Sequence, residues 1–444
     1  VLQRASLPPS KALRIANSLL EDMDKDEIER DAATYTSYLT LLRNSARAYD
    51  PDAASEALRL LSEMKEKGLA PDVKTYSACL HAIAWSSRSL NDPTPCVADA
   101  VSLLKEMTNT RDLRPDTGAY TACLAVCAKA ARRGGSAVVK SAREVMAQLE
   151  RSKNRIDIRT FNTYMDVFAN AVRTPGGSGF VQEAEKILDR IKIAGLKPNE
   201  ASYTIVLKAY AMSSEAGNKR AFDQAMMQFN RMQKETVKPP LSVFNSLITI
   251  AARGAHRAGR KGRPLDNGLL ALEKLREGGL QPDGLTMSAL VTCCRNPEEV
   301  ALVRKIAADS QVQPSPIFLS NAIRALRYKP SERTISVVTS LLDHGEELGF
   351  RAGKEEGPGW EDGAMIYSAA MDHFIRCRKG MDAVALLDRA RDAGGHPNAF
   401  MISLAIKGAL QAGNPDKAKE VAAEVTRDHI KVTPLLQKQI SQLQ

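Results

Sequence analysis

Ten segments of the chain share one pattern of apolar residues, in which an aromatic or large apolar residue is followed by apolar residues four and seven positions later. These spacings place the three side chains on one face of an α-helix. Because the pattern recurs at a long interval, it predicts a repeat architecture. The sets are Tyr35/Leu39/Leu42, Tyr76/Leu80/Ile83, Tyr120/Leu124/Cys127, Phe161/Met165/Phe168, Tyr203/Leu207/Tyr210, Phe244/Ile248/Ala251, Met287/Val291/Cys294, Leu319/Ile323/Leu326, Tyr367/Met371/Phe374 and Ile402/Ile406/Ala409.

A second apolar pattern follows these segments. A small residue precedes large apolar residues three, four and seven positions later, as in Ala57, Leu60, Leu61 and Met64. Several units then close with a glycine and, two or three residues later, a proline, as in residues 68–72 (GLAPD). Glycine followed by proline is typical of a helix end. Each unit is therefore predicted to be a helix, a turn, a second helix and a stop.

These strings resemble the pentatricopeptide repeat. Residues 56–77 (EALRLLSEMKEKGLAPDVKTYS), 156–165 (IDIRTFNTYM) and 238–248 (KPPLSVFNSLI) carry the resemblance, which recurs from about Ala32 to the C-terminus. The tetratricopeptide repeat is the near competitor, but the Pro-Asp/Asn stop and the Thr-Tyr/Phe opening favour the pentatricopeptide form. The resemblance implies an all-α fold, a right-handed α-solenoid of about ten helix-turn-helix repeats.

The predicted organisation has three parts. Residues 1–31 form an N-terminal stub and a partial leading repeat, residues 32–433 form an array of about ten helical hairpins, and residues 434–444 form a C-terminal helix end. A chain of 444 residues would ordinarily split into several domains, but a solenoid need not, since each repeat contacts only its neighbours. The chain begins at Val1 rather than Met, so we expect a trimmed start, and residues 1–9 fit the stub of an organelle targeting peptide.

Catalytic and metal-binding motifs are missing from the sequence. There is no phosphate-binding glycine loop, no nucleophile elbow and no deaminase signature. The seven cysteines and six histidines follow no metal-ligand spacing. No segment approaches the roughly 18 apolar residues that a membrane helix needs. We therefore expect no enzyme activity, no cofactor, no bound metal and no membrane insertion.

Charge points to a polyanionic partner. The chain has 62 Lys and Arg against 52 Asp and Glu, which gives a net charge of +10 and a pI near 9.2. Lys and Arg side chains that neutralise phosphates supply sequence-independent affinity for nucleic acids. Two basic runs fall in predicted turns between helices, where they would contact an RNA backbone or an acidic protein, or remain as solvated loops. Their residues are Arg132, Arg133, Arg257, Arg260, Lys261 and Arg263.

The family resemblance also implies a set of base-reading residues. In such proteins one RNA base is read per repeat, mainly by the fifth residue of the repeat together with its last residue. Carried onto this sequence, the pairs are Thr36/Asp72, Ser77/Asp116, Thr121/Asp157, Asn162/Asn199, Thr204/Pro240, Asn245/Asp283, Ser288/Ser315, Ser320/Gly363 and Ser368/Asn398. The family code then implies guanine for a hydroxyl with Asp, uracil for Asn with Asp, a pyrimidine for Asn with Asn, and adenine for Ser with Asn.

Three departures from the family pattern weigh against a long sequence code. Only one unit has the usual length of 35 residues, because most units carry longer turns between their helices. Pro240, Ser315 and Gly363 cannot supply the expected side-chain acceptor. The second position, where the family places an aliphatic residue that stacks on bases, is apolar and bulky only in the later units. It holds Ala33, Lys74, Gly118, Arg159, Ala201, Ser242, Leu285, Ile317, Met365 and Phe400.

Two classes of function remain open from the sequence. In the first, the protein is a non-enzymatic organellar RNA-binding protein that acts in RNA metabolism or translation, either as a free adaptor for single-stranded transcripts or bound to ribosomal RNA as a subunit of an organellar ribosome. In the second, it is a protein–protein scaffold of a large organellar complex without sequence-specific RNA recognition. The resemblance implies a nuclear-encoded protein of the mitochondrion or the plastid.

Overall fold

Helices make up the regular structure of the protein. The computed structural model describes residues 8–48, 50–110, 113–255, 264–328, 330–350, 360–393, 395–427 and 433–443, and in these residues there are 21 α-helices and no strand. The chain divides into two units, Val1–Lys238 and Pro239–Gln444. None of the described helices is long and apolar enough to cross a membrane.

The first unit holds ten helices that form successive hairpins. The helix α1 packs on α2, the pairs α2/α3, α4/α5, α7/α8 and α9/α10 are hairpins, and α6 supplies both arms of the third hairpin. The first helices of neighbouring hairpins (α2, α4, α6, α7 and α9) pack on one another in chain order. The bounds are α1 Pro9–Lys25, α2 Ala32–Arg47, α3 Ala53–Glu66, α4 Val73–Ser86, α5 Thr94–Asn109, α6 Thr117–Arg151, α7 Ile158–Ala171, α8 Phe180–Ile193, α9 Glu200–Glu215 and α10 Ala221–Lys234.

The second unit repeats this arrangement with eleven helices. The hairpins are α11/α12, α13/α14, α15/α16, α17/α18 and α19/α20, while α21 packs on α19 and α20. Their first helices also pack in chain order. The bounds are α11 Leu241–Ala255, α12 Pro264–Glu277, α13 Gly284–Val291, α14 Pro297–Asp309, α15 Pro316–Ala325, α16 Glu332–Glu347, α17 Trp360–Arg376, α18 Gly380–Asp392, α19 Ala399–Gln411, α20 Pro415–Arg427 and α21 Pro434–Leu443.

Apolar side chains at the predicted positions form the core of both units. Every residue of the ten apolar sets is buried, from Tyr35 in α2 to Ala409 in α19. The small residue of the second-helix pattern is buried as well, and Ala57 is 0% exposed. Since neighbouring hairpins share these contacts, each repeat completes the core of the next. The predicted all-α solenoid of helical hairpins is thereby confirmed.

The turn inside α6 depends on a glycine. Gly135 interrupts the helix with φ 50° and ψ −130°. This conformation has a positive φ, which is unfavourable for any residue that has a Cβ atom. A Cβ atom there would also lie 2.9 Å from Thr174 Oγ1. The chain reverses at this residue without a loop, so the basic residues that precede it lie at the end of a helix.

Candidate nucleic-acid interface

Most of the predicted last residues of the repeats lie at the N-termini of the first helices of the repeats that follow, although Gly363 lies within α17. Each of the four aspartates accepts a hydrogen bond through Oδ1 from the backbone N–H of the third residue of that helix, at 2.8 Å for Asp72, 2.7 Å for Asp116, 2.8 Å for Asp157 and 2.7 Å for Asp283. We call these the cap residues, because they satisfy otherwise unpaired N–H groups. Asn199 and Asn398 cap α9 and α19 in the same way.

Capping leaves one oxygen of each aspartate unused. In the described part of the chain, no hydrogen bond reaches Oδ2 of Asp72, Asp116 or Asp157, while the Asp283 carboxylate also has a hydrogen bond with the Asn245 side chain. Partial burial raises the pKa of Asp72, but the Thr75 hydroxyl and N–H lower it by more, so the pKa lies below its usual value. The pKa of Asp283 is also lowered, by Thr286 and Asn245 against the effect of burial. These two caps are therefore ionised at neutral pH and offer an acceptor.

A hydroxyl group joins the fifth residue of a repeat to the cap residue that follows it. Thr36 Oγ1 lies 2.8 Å from Thr75 Oγ1, which donates to Asp72 Oδ1 across 2.7 Å. Thr121 Oγ1 lies 2.9 Å from Thr160 Oγ1, which donates to Asp157 Oδ1 across 2.7 Å. Both predicted pairs, Thr36/Asp72 and Thr121/Asp157, are thus brought together through a buried third residue.

Two pairs that contain asparagine are joined in a related way. Ser202 Oγ donates to Asn162 Oδ1 across 2.7 Å, and Asn162 Nδ2 donates to Asn199 Oδ1 across 3.2 Å. In the second unit, Thr286 Oγ1 lies 2.7 Å from both Asn245 Oδ1 and Asp283 Oδ1. Because both Asn side chains turn their oxygen towards the hydroxyl, only amide hydrogens are left to face a ligand. One hydrogen of Asn162 is already used on Asn199, and the Asn245 side chain also hydrogen-bonds Asp283.

The remaining predicted pairs lack this link. Ala119 takes the place of the bridging hydroxyl between Ser77 and Asp116, and Ser77 Oγ is buried without a hydrogen-bond partner in the described residues. Ser368 and Asn398 are likewise not joined, since the third residue of α19 is Met401. Ser288 and Ser315 meet directly at 3.4 Å. Thr204 and Pro240 belong to different units, and Gly363 offers Ser320 no side chain.

Sequence reasoning missed the third residue of the first helices. Thr75, Thr160, Ser202 and Thr286 are all 0% exposed, so a base cannot touch them. The third residues were visible in the sequence as the Thr of the recurring Thr-Tyr and Thr-Phe strings. These strings were used only to recognise the type of repeat. The contact itself joins residues about 40 positions apart, which is why a reading of one repeat at a time cannot find it.

The second positions differ between the two units. In the first unit Lys74, Arg159 and Ala201 are exposed, and none of them offers an aliphatic stacking surface of the usual kind. In the second unit three large apolar side chains are exposed at this position: Leu285 at 66%, Ile317 at 44% and Phe400 at 54%. The apolar second positions of the later repeats are thus exposed to solvent, and their role in base stacking stays a prediction.

Arg132 and Arg133 line a basic cavity of about 400 Å³ in the first unit. The other cations on its wall come from three different first-helix segments: Arg88 after α4, Lys129 in α6 and Lys208 in α9. The lengthened turn between α4 and α5 closes one side through Leu90, Asn91 and Pro93. We call this cavity the basic pocket.

Positive charge dominates the basic pocket. Lys208 forms an ion pair with Asp166 at 2.6 Å, whereas no carboxylate among the described residues lies within 4.0 Å of the other four cations, Arg88, Lys129, Arg132 and Arg133. Partial burial lowers the pKa of Lys129, and the charges of Arg88, Lys208 and Arg132 lower it further against the attraction of Asp166. An anion in the pocket would relieve this repulsion.

The second predicted basic run cannot be placed. Arg257, Arg260, Lys261 and Arg263 lie outside the described residues.

Cysteine residues pack as apolar groups in this protein. All seven are free, and burial raises the pKa of Cys79 and of Cys293 to about 12. Such thiols stay protonated at neutral pH and are poor nucleophiles. Among the described residues, no cluster of three or more His, Cys, Asp or Glu side chains is arranged to hold a metal ion.

Comparison with known proteins finds pentatricopeptide repeats in parts of this chain. The sequence profile of the pentatricopeptide repeat domain matches residues 18–84 and 186–253. The crystal structure of the pentatricopeptide repeat protein PPR10 from maize superimposes with a TM-score of 0.57 and 17% identity, over 99% of this chain and 57% of that chain. Two segments of this chain, residues 18–84 and 186–253, are thus pentatricopeptide repeats by their sequence. PPR10 has also been crystallised in complex with an 18-nt psaJ RNA element.

Two further relatives are pentatricopeptide repeat-containing proteins of plants. One, from Arabidopsis thaliana, is 22% identical over 240 residues, or 54% of this chain. The other, the chloroplastic pentatricopeptide repeat-containing protein 10 of Zea mays, is 28% identical over 127 residues, or 28% of this chain. The matches span only 36% and 14% of the lengths of these two relatives.

Proposed function

We propose that this pentatricopeptide repeat protein binds single-stranded RNA in an organelle, mitochondrion or plastid, and reads individual bases with its cap and fifth residues. Its role would be in RNA metabolism or translation, without catalysis. The observation that carries the proposal is the row of cap residues. Each of them uses one side-chain oxygen to accept a hydrogen bond from its helix, and its second polar atom takes no part in the cap. The pentatricopeptide repeats of this chain and the chloroplastic relative support RNA and an organelle as the setting.

The free polar atoms match the edges of particular bases. Asp283 offers an acceptor and Asn245 offers amide donors, which complements the adjacent carbonyl and N–H groups of uracil. The pair Asn162/Asn199 offers donors only, which suits the adjacent N3 and O2 acceptors of cytosine. Thr36/Asp72 and Thr121/Asp157 offer acceptors that suit the two neighbouring N–H donors of guanine. These assignments agree with the family code, and they narrow the pyrimidine to cytosine.

Stacking would add affinity in the second unit. Leu285, Ile317 and Phe400 project into solvent one residue before the buried third position of their helices. A base that contacts the cap residue can therefore also lie against an apolar side chain. Base stacking on aromatic side chains is worth roughly 1–3 kcal/mol per base. Since the first unit lacks such residues, we expect its repeats to rely on hydrogen bonds and on charge.

The basic pocket would hold phosphate groups of the same RNA. Its Lys129 lies eight residues after Thr121 on the first arm of α6, or about 12 Å along the helix at the usual rise of ~1.5 Å per residue. The phosphate of a nucleotide lies away from its base edge, so one strand can present bases to the caps and its backbone to this end of the helices. The four cations that have no carboxylate partner among the described residues would then neutralise the phosphates.

A second candidate function is that of a structural subunit in a large organellar assembly, such as a ribosome. The basic pocket favours it, because the pocket is built by a lengthened interhelical turn and contacts of this kind carry no sequence information. Lys74 and Arg159 at second positions also fit backbone contact better than stacking. A protein–protein scaffold without RNA contact is the remaining alternative.

Crosslinking in isolated organelles separates these roles. The native protein would be crosslinked to RNA, the bound RNA sequenced and the particle sized. A short footprint rich in guanine and cytosine, on a small particle, is the expected result. Ribosomal RNA on a ribosome-sized particle would establish the structural subunit instead, and the absence of any crosslinked RNA would leave the protein scaffold.

A further inference from the structure

The hydrogen bonds around Thr36 define which polar atom it can offer. Thr36 Oγ1 lies 2.8 Å from Thr75 Oγ1 and 2.9 Å from the Ala32 carbonyl, while Thr75 Oγ1 lies 2.7 Å from Asp72 Oδ1. Two hydroxyl hydrogens must serve these three contacts. The Ala32 carbonyl already takes part in the backbone hydrogen bonding of α2, and the ionised carboxylate is the strongest acceptor. Thr75 therefore donates to Asp72, and the Thr36 hydrogen goes either to the Ala32 carbonyl or to Thr75 Oγ1, so that in both arrangements it is used within the protein.

This chain of hydrogen bonds removes the donor of Thr36. The single hydroxyl hydrogen of Thr36 is taken by the Ala32 carbonyl or by Thr75, so only a lone pair is left for a ligand. The same holds for Thr121, whose Oγ1 lies 2.7 Å from the Thr117 carbonyl and 2.9 Å from Thr160 Oγ1. At Asn162 and Asn245 the third-residue hydroxyl contacts Oδ1 instead, and the side chain is left with amide hydrogens as donors.

The pair Ser77/Asp116 shows the arrangement without a bridging group. The third residue of α6 is Ala119, and Ser77 Oγ has no hydrogen-bond partner in the described structure. Its hydroxyl can therefore turn to act as a donor or as an acceptor. Because Ser77 Oγ is buried and its hydroxyl is not fixed by a partner, this site should discriminate between base edges less sharply than its neighbours on either side.

We propose that the four buried hydroxyls of Thr75, Thr160, Ser202 and Thr286 are positioning residues for base recognition. Each fixes whether the fifth residue of the preceding repeat acts as a donor or as an acceptor, although none touches the base. The inference rests on the proposed RNA-binding function. It predicts sharp guanine selection by Thr36/Asp72 and Thr121/Asp157, and weaker selection by Ser77/Asp116.

The test compares base preferences of four forms of the full chain. Wild type, Thr75→Val, Thr75→Ser and Ala119→Thr would each be incubated with a pool of randomised single-stranded RNA of fixed length, and the bound RNA would be sequenced. Thr75→Val keeps the shape but not the hydroxyl, and we expect a roughly five- to tenfold loss of guanine preference at one position only. Thr75→Ser should retain the preference. Ala119→Thr should increase guanine preference at the adjacent position.

Each outcome separates the positioning role from base reading itself. If the wild type selects bases but Thr75→Val keeps the same profile, or weakens all positions equally, the positioning role is wrong while base reading stands. A wild type that binds without any base preference would overturn base reading, and with it this inference. Circular dichroism and thermal melting of each variant check that the fold is intact, and the opposite change at Ala119 tests the inference without removing any native hydrogen bond.

Discussion

Asn162 Nδ2 donates to Asn199 Oδ1 across 3.2 Å, although the two residues belong to successive first helices. The same Oδ1 atom also accepts the backbone N–H of Ser202 at 3.1 Å, as the cap of α9 requires. The oxygen atoms of both amides are therefore occupied, and only amide hydrogens remain for a ligand. The donor and acceptor character of this site follows from the same contact that begins the helix.

Asn199→Asp should change the base preference of this repeat from cytosine to uracil. An aspartate caps a helix as well as an asparagine does, so Oδ1 keeps its contacts while Oδ2 replaces the amide donor with an acceptor. The expected change in discrimination is about 1–3 kcal/mol, the range for a two-bond contact with a base edge. Affinities for two RNAs that differ only at this nucleotide would measure it.

The matched control is Asp283→Asn, which makes the opposite change at α13. It should shift the preference of that repeat from uracil towards cytosine and leave the first site unchanged. Variants that alter affinity for both RNAs by the same factor would show that these residues do not read bases.

Replacing cations of the basic pocket by neutral residues should reduce the salt dependence of RNA binding. Lys129→Gln with Arg132→Gln removes two cations that lack a carboxylate partner in the described structure. The slope of log affinity against log salt concentration should flatten by about 0.7 for each single-strand phosphate that is no longer neutralised. Filter binding or fluorescence anisotropy at several salt concentrations gives the slope.

Lys140→Gln with Arg151→Gln is the control for net charge. Both residues are exposed on the second arm of α6, so the same charge is removed away from the pocket. Equal flattening in the two double variants would mean that total charge, and not the pocket, drives binding.

The fold and half of the interface were readable from the sequence. Apolar residues at spacings of four and seven identify the buried face because helical geometry fixes that face within one segment. Asp72 and Asp157 became candidates through the family resemblance, which gives the last position of each repeat. That these residues also cap the helices was not predicted, although Asp before a helix is typical of a cap.

What could not be predicted depends on contacts between repeats. The hydroxyl of Thr75 matters because it reaches Thr36, 39 residues earlier, and nothing in a single repeat shows which side chain it meets. The basic pocket joins residues from three first-helix segments and one lengthened turn. The extra residues of that turn were visible in the sequence, but the sequence does not show which cations the turn encloses.

Removing the Asp72 cap should destabilise the protein in a pH-dependent manner. Asp72→Ala should cost about 1 kcal/mol in the free energy of unfolding at pH 7, the typical value for loss of a cap. The pKa of Asp72 is lowered in the folded state, so its carboxylate stabilises the fold above the unfolded pKa of roughly 3.9, and this contribution is lost as the pH falls through the folded pKa. The gap between wild type and Asp72→Ala should therefore narrow below about pH 4.

Urea unfolding at pH 7, 5 and 3 would measure this gap. Asp72→Asn is the control, because asparagine caps equally well but does not titrate. Its stability should match the wild type at pH 7 and exceed it at the lowest pH. A cost of Asp72→Ala that is the same at every pH would exclude a charged cap.

Ala57→Leu should destabilise the protein by overpacking the first hairpin against the second. Ala57 in α3 is 0% exposed, and its carbonyl oxygen lies 3.7 Å from Cys79 Sγ in α4, so added methylene groups must displace a neighbouring helix. Such substitutions typically cost about 1–3 kcal/mol. Ala137→Leu, on an exposed face of α6, is the control and should change the free energy of unfolding by less than about 0.5 kcal/mol. Chemical denaturation of both variants gives the comparison, and equal stabilities would contradict the close approach of α3 to α4.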